Sequence, residues 1–215
     1  NGSWYGSSTH RETIDWTESG QYGYKRLNGG DGMQAQVDLR DNSTIYSGSQ
    51  FGAYFRTNKQ KPENKFIRPG VPGLDAQKLR FNWQTPILLS SHNPDILYLG
   101  TQYLYRSMNK GDKLELISGD LTGGKKTGDI PFATLTTISE SRISFGLIYT
   151  GSDDGNVYLT KDGGANWQKL GMPDKKGVGG LPQGLYVSRV LASQHHRGRV
   201  YVTLNGFRND HFTAY

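Results

Sequence analysis

Short apolar runs recur along the chain at a constant spacing, and each contains an apolar residue followed by tyrosine. The four tyrosines are 52, 51 and 52 residues apart. No helical period lies between them, so each repeat is predicted to consist of short strands. A repeat of about 50 residues built only from strands is typical of propeller blades, which bury their faces against neighbouring copies. The pairs are Ile45-Tyr46, Leu97-Tyr98, Ile148-Tyr149 and Val200-Tyr201.

Alignment of the copies on the tyrosines predicts four antiparallel strands per repeat. The second strand is predicted to end at the tyrosine, because small residues such as Ser47-Gly48 and Thr150-Gly151 follow it. The inner strands are predicted at 34–39, 86–90, 135–139 and 187–192, and the third strands at 53–56, 104–106 and 157–159. The fourth strands are predicted to begin near Phe66, Leu114 and Trp167.

The sequence therefore predicts an all-β fold, a β-propeller of four-stranded antiparallel blades. About four blades fit into 215 residues, and the end ones are incomplete. The predicted units of this single domain are 1–29 (partial), 30–80, 81–130, 131–180 and 181–215 (partial). Because both end copies are incomplete and the chain starts at Asn1, we expect it to be a segment of a longer polypeptide that supplies the remaining blades.

Composition excludes several kinds of site. The chain has no cysteine, so disulfides and thiolate metal sites are excluded. Its net charge of +6 comes from short clusters that fall in predicted turns, which favours solvated loops over a nucleic-acid surface. No apolar run is long enough to span a membrane. We therefore expect no nucleic-acid partner, no membrane insertion, no cofactor and no metal.

The turn between the third and fourth strands of the third copy contains Thr160, Asp162, Gly164 and Trp167. Their spacing resembles the Asp box, Ser/Thr-x-Asp-x-Gly-x-x-Trp, of sialidase-like, sortilin-like and xyloglucanase-type propellers, known as BNR repeats. A short carboxylate in such a hairpin accepts backbone N–H bonds, so Asp162 is predicted to be structural. The preceding copy keeps Ser107 and Gly111 but has Asn109 and Leu114 instead of Asp and Trp.

Segments 28–32, 81–86 and 205–210 are similar to segments of large secreted bacterial propeller proteins. This resemblance implies a secreted or cell-surface bacterial protein whose partner is a glycan or a protein. It does not imply one substrate, because this fold carries hydrolases, receptors and assembly factors alike.

Two kinds of loop open at the same end of a propeller, which we call the mouth: the loop before each inner strand and the loop between the second and third strands. Amides and carboxylates there could bond sugar hydroxyls, and a tryptophan could stack on a sugar ring. Turn capping is the competing interpretation of each residue. The predicted ligand-binding residues are Asp31, Gln50, Trp83, Gln102, Asp153, Asp154 and Asn205.

Catalysis would need two carboxyl groups across a scissile glycosidic bond. In xyloglucanase-type propellers a catalytic Asp lies in a segment similar to 47–56, but here Gln50 stands at its position and cannot exchange a proton. Asp153 restores a carboxylate at the same register two blades later, and Asp31 or Asp129 could be its partner.

Three hypotheses therefore stay open. The leading one is a non-catalytic glycan- or protein-binding module of a larger secreted or cell-surface protein. The second is a glycoside hydrolase, xyloglucanase-like or sialidase-like, with its carboxylates at the mouth. The third is an accessory or cargo subunit of a secretion or surface assembly.

Overall fold

A computed structural model of the chain describes residues 1–11, 14, 23–70, 79–124, 132–174, 177 and 179–212. Almost all regular structure within these residues is β. The strands are β1 Ser3–Gly6, β2 Tyr24–Asn28, β3 Gln36–Val37, β4 Thr44–Ser49, β5 Ala53–Asn58, β6 Glu63–Ile67, β7 Ile87–Leu89, β8 Leu97–Gly100, β9 Leu104–Ser107, β10 Glu115–Leu116, β11 Leu135–Glu140, β12 Ile148–Ser152, β13 Val157–Thr160, β14 Gln168–Leu170, β15 Tyr186–Ala192 and β16 Val200–Asn205, and a 3-10 helix spans Phe207–Asn209.

Three sheets are four-stranded antiparallel meanders, with the strands in the orders β3-β4-β5-β6, β7-β8-β9-β10 and β11-β12-β13-β14. We call them the first, second and third blades. Each uses consecutive strands joined by short turns, the arrangement that a propeller blade requires. The predicted all-β propeller architecture is confirmed, and the chain forms part of a β-propeller.

The prediction that the second strand ends at the tyrosine is wrong. Tyr46 lies in the middle of β4, and Tyr98 and Tyr149 lie near the starts of β8 and β12. The small residues that follow each tyrosine are themselves in the strand, where Gly48 pairs with Tyr54 and Gly151 with Val157. Because the second strand is buried between neighbouring sheets, small residues are accommodated there instead of ending it.

The two sheets at the ends of the described chain have two strands each. The β15–β16 sheet follows the third blade and matches the first and second strands of a blade. The β1–β2 hairpin contains Ser7, whose Oγ accepts the backbone N–H of Thr9 at 3.1 Å. Ser107 accepts the N–H of Asn109 in the same way at the end of β9. The same bond also occurs between first and second strands, where Ser90 Oγ accepts the N–H of His92, so it does not assign β1 and β2 to particular strands of a blade.

The core consists of apolar layers between adjacent sheets. Tyr46 and Tyr98 are fully buried, and Tyr149 is 1% exposed, whereas Tyr201 at the same register of β16 is 54% exposed. The difference arises because the first three tyrosines have a further blade packed against them. The layer between the second and third blades contains Ile96, Tyr98, Leu104, Leu121, Leu135 and Ile148.

The innermost strands of neighbouring sheets are joined by side chains that bond to backbone N–H groups. Ser139 Oγ accepts the N–H of Ala192 at 2.9 Å, and Gln34 Oε1 accepts the N–H of Ile87 at 3.3 Å. In both pairs the donor lies 53 residues after the acceptor. These strands line a cavity of about 870 Å³, the channel around which the blades are arranged.

Arginines on the third strands join each blade to the hairpin of the next. Arg56 Nη1 donates to the carbonyl of Lys110 at 2.6 Å, and Arg106 Nη1 donates to the carbonyl of Gly163 at 3.1 Å. Lys110 and Gly163 hold the same position in their hairpins. Both arginines therefore lie at the end of the propeller opposite the mouth and serve to hold blades together.

Candidate functional site

At the mouth, the residue four positions after each buried tyrosine holds the loop that leads into the inner strand of its own blade. Gln50 Oε1 accepts the backbone N–H of Asp31 at 3.1 Å. Gln102 Oε1 accepts the N–H of Arg80 at 2.9 Å in the second blade. The predicted register of these side chains at one end of the propeller therefore matches the structure.

Asp153 performs the same task in the third blade with two backbone donors. Its Oδ2 accepts the N–H of Phe132 at 2.7 Å, and its Oδ1 accepts the N–H of Thr134 at 2.9 Å. Asp153 and Gln102 are each only 2% exposed. Carboxylate and amide oxygens are interchangeable here because the task is to accept N–H groups. The position is thus explained by loop anchoring, the competing interpretation of the sequence.

Asp153 also belongs to a buried polar cluster that spans three sheets. Its carboxylate accepts the Thr134 hydroxyl at 2.9 Å and, at 3.4 Å, the Nδ2 group of the buried Asn82. Burial, and the charge of Asp153 beside it, raise the pKa of Tyr186 in the neighbouring sheet. Burial raises the pKa of Asp153, and the N–H bonds from Thr134 and Phe132 partly oppose that increase.

The remaining predicted mouth residues differ in exposure. Asp31 is exposed. Asp154 Oδ2 accepts the N–H of Gly123 at 2.5 Å, which ties the third blade to a loop of the second. Asn205 is exposed and accepts the N–H of Phe207 at 3.2 Å, so it caps its own turn instead of an incoming loop. Asp129 lies outside the described residues.

Three aromatic side chains at the mouth contact one another. We call Phe51, Trp83 and Phe132 the mouth cluster. The rings of Phe51 and Trp83 meet edge to face with centroids 5.2 Å apart, and the rings of Phe51 and Phe132 do so at 6.4 Å. Trp83 is 47% exposed and Phe51 is 40% exposed. Trp83 was predicted from the sequence, whereas Phe51 and Phe132 were not. The signal for Phe51 was its place directly after the Gln50 register position.

Phe51 has a left-handed backbone, with φ of 58°. This conformation is unfavourable for a bulky residue with a Cβ atom. Its N–H donates to the carbonyl of Trp83 at 3.2 Å, which holds the strained residue against the neighbouring blade. A half-exposed aromatic residue with a strained backbone is typical of a functional position.

We expect Phe51→Gly to be more stable than Phe51→Ala by about 1 kcal/mol, because both lose the ring but only glycine adopts the left-handed conformation freely. Urea unfolding of the two variants measures the difference. Equal stability, or a more stable alanine variant, would show that the backbone at Phe51 is not strained.

The hairpin between β13 and β14 lies at the opposite end. Asp162 Oδ1 accepts the N–H of Asn166 at 2.9 Å and the Thr160 hydroxyl at 2.7 Å, and Trp167 Nε1 donates to the carbonyl of Ile117 in the second blade at 2.9 Å. The second blade repeats these bonds with an amide, since Asn109 Oδ1 accepts the N–H of Lys113 at 3.0 Å. Among the described residues, the Asp162 carboxylate thus bonds to groups of its own hairpin.

Acid is expected to loosen the Asp162 hairpin and leave the Asn109 hairpin intact. Hydrogen bonds from Asn166 and Thr160 lower the pKa of Asp162 to about 2. Its stabilising bonds are thus complete above about pH 4 and are lost as the pH falls through about 2. Hydrogen exchange of the Asn166 amide, corrected for intrinsic rates, should lose protection in acid, whereas the Lys113 amide should keep it. Parallel loss in both hairpins would contradict this assignment.

Within the described residues, His, Asp and Glu side chains do not form a group of three or more that could bind a metal ion. None of the helices in the same part of the chain has the length and apolarity needed to cross a bilayer.

Comparison with known proteins identifies the fold alone. No protein-family profile matches the chain, and no curated protein matches it. An ancestral GH74 enzyme is similar in structure, with a TM-score of 0.56, 15% identity and coverage of 81% of this chain and 22% of that one. A GH74 xyloglucanase from Xanthomonas campestris has a TM-score of 0.55 and 19% identity, and the match covers 82% of this chain and 28% of that one. The GH74 enzyme of Niastella koreensis has a TM-score of 0.50, 15% identity and coverage of 80% and 26%.

These relatives are β-propeller proteins, and the chain shares that fold with them. It spans about a quarter of the length of each. Identities below 20% do not transfer an activity, so function has to be argued from the mouth itself.

Proposed function

We propose that the chain is a non-catalytic part of a larger secreted or cell-surface Asp-box propeller, and that it binds a glycan at its mouth. The observation that carries this proposal is the mouth cluster. Three aromatic side chains from three different blades meet at one end of the propeller, and two of them are 40% and 47% exposed.

Such a cluster suits a sugar ring. Aromatic faces pack against the apolar C–H surface of a sugar, and amphipathic aromatic residues supply large contact area at low entropic cost. The loops that carry Trp83 and Phe132 are held by hydrogen bonds from backbone N–H groups to the side chains of the buried residues Asn82 and Asp153. A site whose side chains are held in place before binding loses less conformational entropy when the ligand binds.

The hydrogen bonding of Asp153 favours binding over hydrolysis. Its carboxylate accepts two backbone N–H groups and a hydroxyl, and it is 2% exposed. A general acid must reach the glycosidic oxygen, which an enclosed carboxylate with occupied oxygens does not do. Gln50, at the other candidate position, has no proton to exchange.

A glycoside hydrolase is the second candidate, and the raised pKa of Asp153 is the observation that favours it. A raised pKa is what the acid of a glycosidase needs. This alternative requires that Asp153→Asn abolish release of reducing sugar from a β-glucan, with binding retained. Our proposal expects no release from the unmodified protein.

The proposal is tested by glycan-array screening followed by calorimetry on the ligands found. Trp83→Ala is expected to weaken binding about 30-fold, or ~2 kcal/mol, as for an aromatic residue at the centre of an interface. Phe145→Ala is the matched control, because Phe145 is 49% exposed and lies in the β11–β12 turn at the opposite end. An array without ligands, or equal affinities for Trp83→Ala and the unmodified protein, would refute the proposal.

If the array is empty and the protein instead co-purifies with other proteins through this surface, the accessory-subunit hypothesis replaces ours. Trp83→Ala would then disrupt that co-purification, whereas Phe145→Ala would preserve it.

A further inference from the structure

Arg68 is the cation of the mouth that borders the aromatic cluster. It directly follows β6, the fourth strand of the first blade, at the end where Tyr54 pairs with Ile67. Its guanidinium lies 4.2 Å from the centroid of the Phe81 ring. Its Nη1 donates to the carbonyl of Phe51 at 3.3 Å. Arg68 is therefore held beside Phe51, whose ring contacts Trp83.

Arg68 is exposed, and it makes no ion pair with another residue that the structure describes. Other arginines behave differently. Arg56 is paired with Glu63, and Arg80, which also lies at the mouth, is paired with Asp120 at 2.8 Å. Within the described residues, the Arg68 guanidinium makes one hydrogen bond, to the Phe51 carbonyl, and its other N–H groups can bind a ligand.

Within the described part of the chain, the carboxylates at the mouth do not form an ion pair with this cation. Asp153 is enclosed and bonded to backbone N–H groups, and Asp154 is bonded to Gly123. Asp31 is exposed at the same end and makes no ion pair within the described residues. A ligand carboxylate that approaches along Phe51 thus meets a guanidinium that is not paired with any carboxylate of the described residues.

We propose that the glycan bound at the mouth is acidic, and that Arg68 binds the carboxylate of a uronic acid while the mouth cluster packs against its ring. This inference rests on the proposed function. A planar guanidinium matches the two oxygens of a carboxylate through parallel N–H bonds, which a lysine cannot reproduce. The Phe81 face beneath Arg68 shields one side of the guanidinium from water and strengthens the pairing.

The experiment compares two probes that differ only at C6: cellohexaose, with neutral hydroxymethyl groups, and the same oligosaccharide oxidised there to the carboxylates of glucuronate. Calorimetry at low salt should show at least tenfold tighter binding of the oxidised probe to the unmodified protein. Arg68→Gln should remove that preference, and Arg68→Lys should restore only part of it. Arg197→Gln, at an exposed arginine in the turn at the opposite end, should behave like the unmodified protein.

The outcomes separate the two proposals. Equal binding of both probes, or a preference that survives Arg68→Gln, overturns the acidic-ligand inference while a loss of affinity in Trp83→Ala still supports glycan binding. If the protein binds neither probe and none of the glycans on the array, the proposed function is wrong, and this inference is wrong with it. Thermal unfolding of each variant checks that the fold is intact.

Discussion

Tyr98→Ala is expected to lower the free energy of unfolding by about 4 kcal/mol, the range measured for truncating a buried aromatic residue. Tyr98 is fully buried between the second and third blades, and its hydroxyl donates to Glu140 Oε1 at 2.9 Å. Truncation leaves a cavity and removes a donor from a buried carboxylate. Because small domains are stable by only about 5–15 kcal/mol, such a loss approaches global unfolding.

Two variants separate the contributions to that loss. Tyr98→Phe keeps the ring but removes the bond to Glu140, so it should cost about 1–3 kcal/mol. Tyr201→Ala changes the same register position in β16, where the side chain is 54% exposed, and should cost about 1 kcal/mol or less. Urea unfolding measures all three. An equal loss at Tyr98 and Tyr201 would show that neighbouring blades do not enclose the tyrosine.

Asp153→Ala is expected to cost about 3 kcal/mol, because it leaves the buried N–H groups of Phe132 and Thr134 without an acceptor. Asp31→Ala is the control, since an exposed carboxylate at the same end should change stability by about 0.5 kcal/mol or less. If Asp153→Ala were as stable as the unmodified protein and yet lost a hydrolytic activity, Asp153 would be a catalytic residue instead of an anchor.

The pH dependence of Asp153→Asn gives an independent test of the same burial. Burial raises the folded pKa of Asp153 above its ordinary value of 3.8. Its contribution to stability is therefore largest below the unfolded pKa and decreases as the pH rises through the folded pKa. The stability of the unmodified protein relative to Asp153→Asn should thus increase on acidification towards about pH 4. A constant difference would mean that the pKa is not raised.

Much of the fold could be predicted because equivalent residues, such as the tyrosines, recur at a constant spacing in each blade. The tyrosine period locates the second strands, and the turns between strands follow from glycine and short polar residues. The ends of the second strands were predicted wrongly. Gly48 and Gly151 after the tyrosine predict a strand end, but the pairing of these glycines depends on the adjacent strands, which the local sequence does not show.

The sequence predicted where the residues of the candidate site lie better than it predicted what their side chains do. The register placed Gln50, Gln102 and Asp153 at one end of the propeller, and their bonds to incoming loops fit the turn-capping interpretation. Phe51 and Phe132 could not be identified, because their contact depends on how far each blade is rotated from the next. The predicted blade boundaries and the role of Asp129 stay predictions.

The proposed function and the acidic-ligand inference share one physical requirement, which is that the mouth stays rigid while the ligand binds. Three of its anchors are side-chain oxygens that accept backbone N–H groups, and one strained residue, Phe51, is held against the neighbouring blade by its bond to the Trp83 carbonyl. Variants at the anchors should therefore weaken binding indirectly, through the loops that carry Trp83 and Phe132.

The indole N–H signals of tryptophan test the central claim most directly. In a ¹H–¹⁵N spectrum, Trp83 reports on the mouth, and Trp167, bonded to the carbonyl of Ile117, reports on the opposite end. Titration with a glycan from the array should shift the Trp83 signal to saturation and leave the Trp167 signal in place. A Trp83 signal that does not move while the glycan binds would contradict the account.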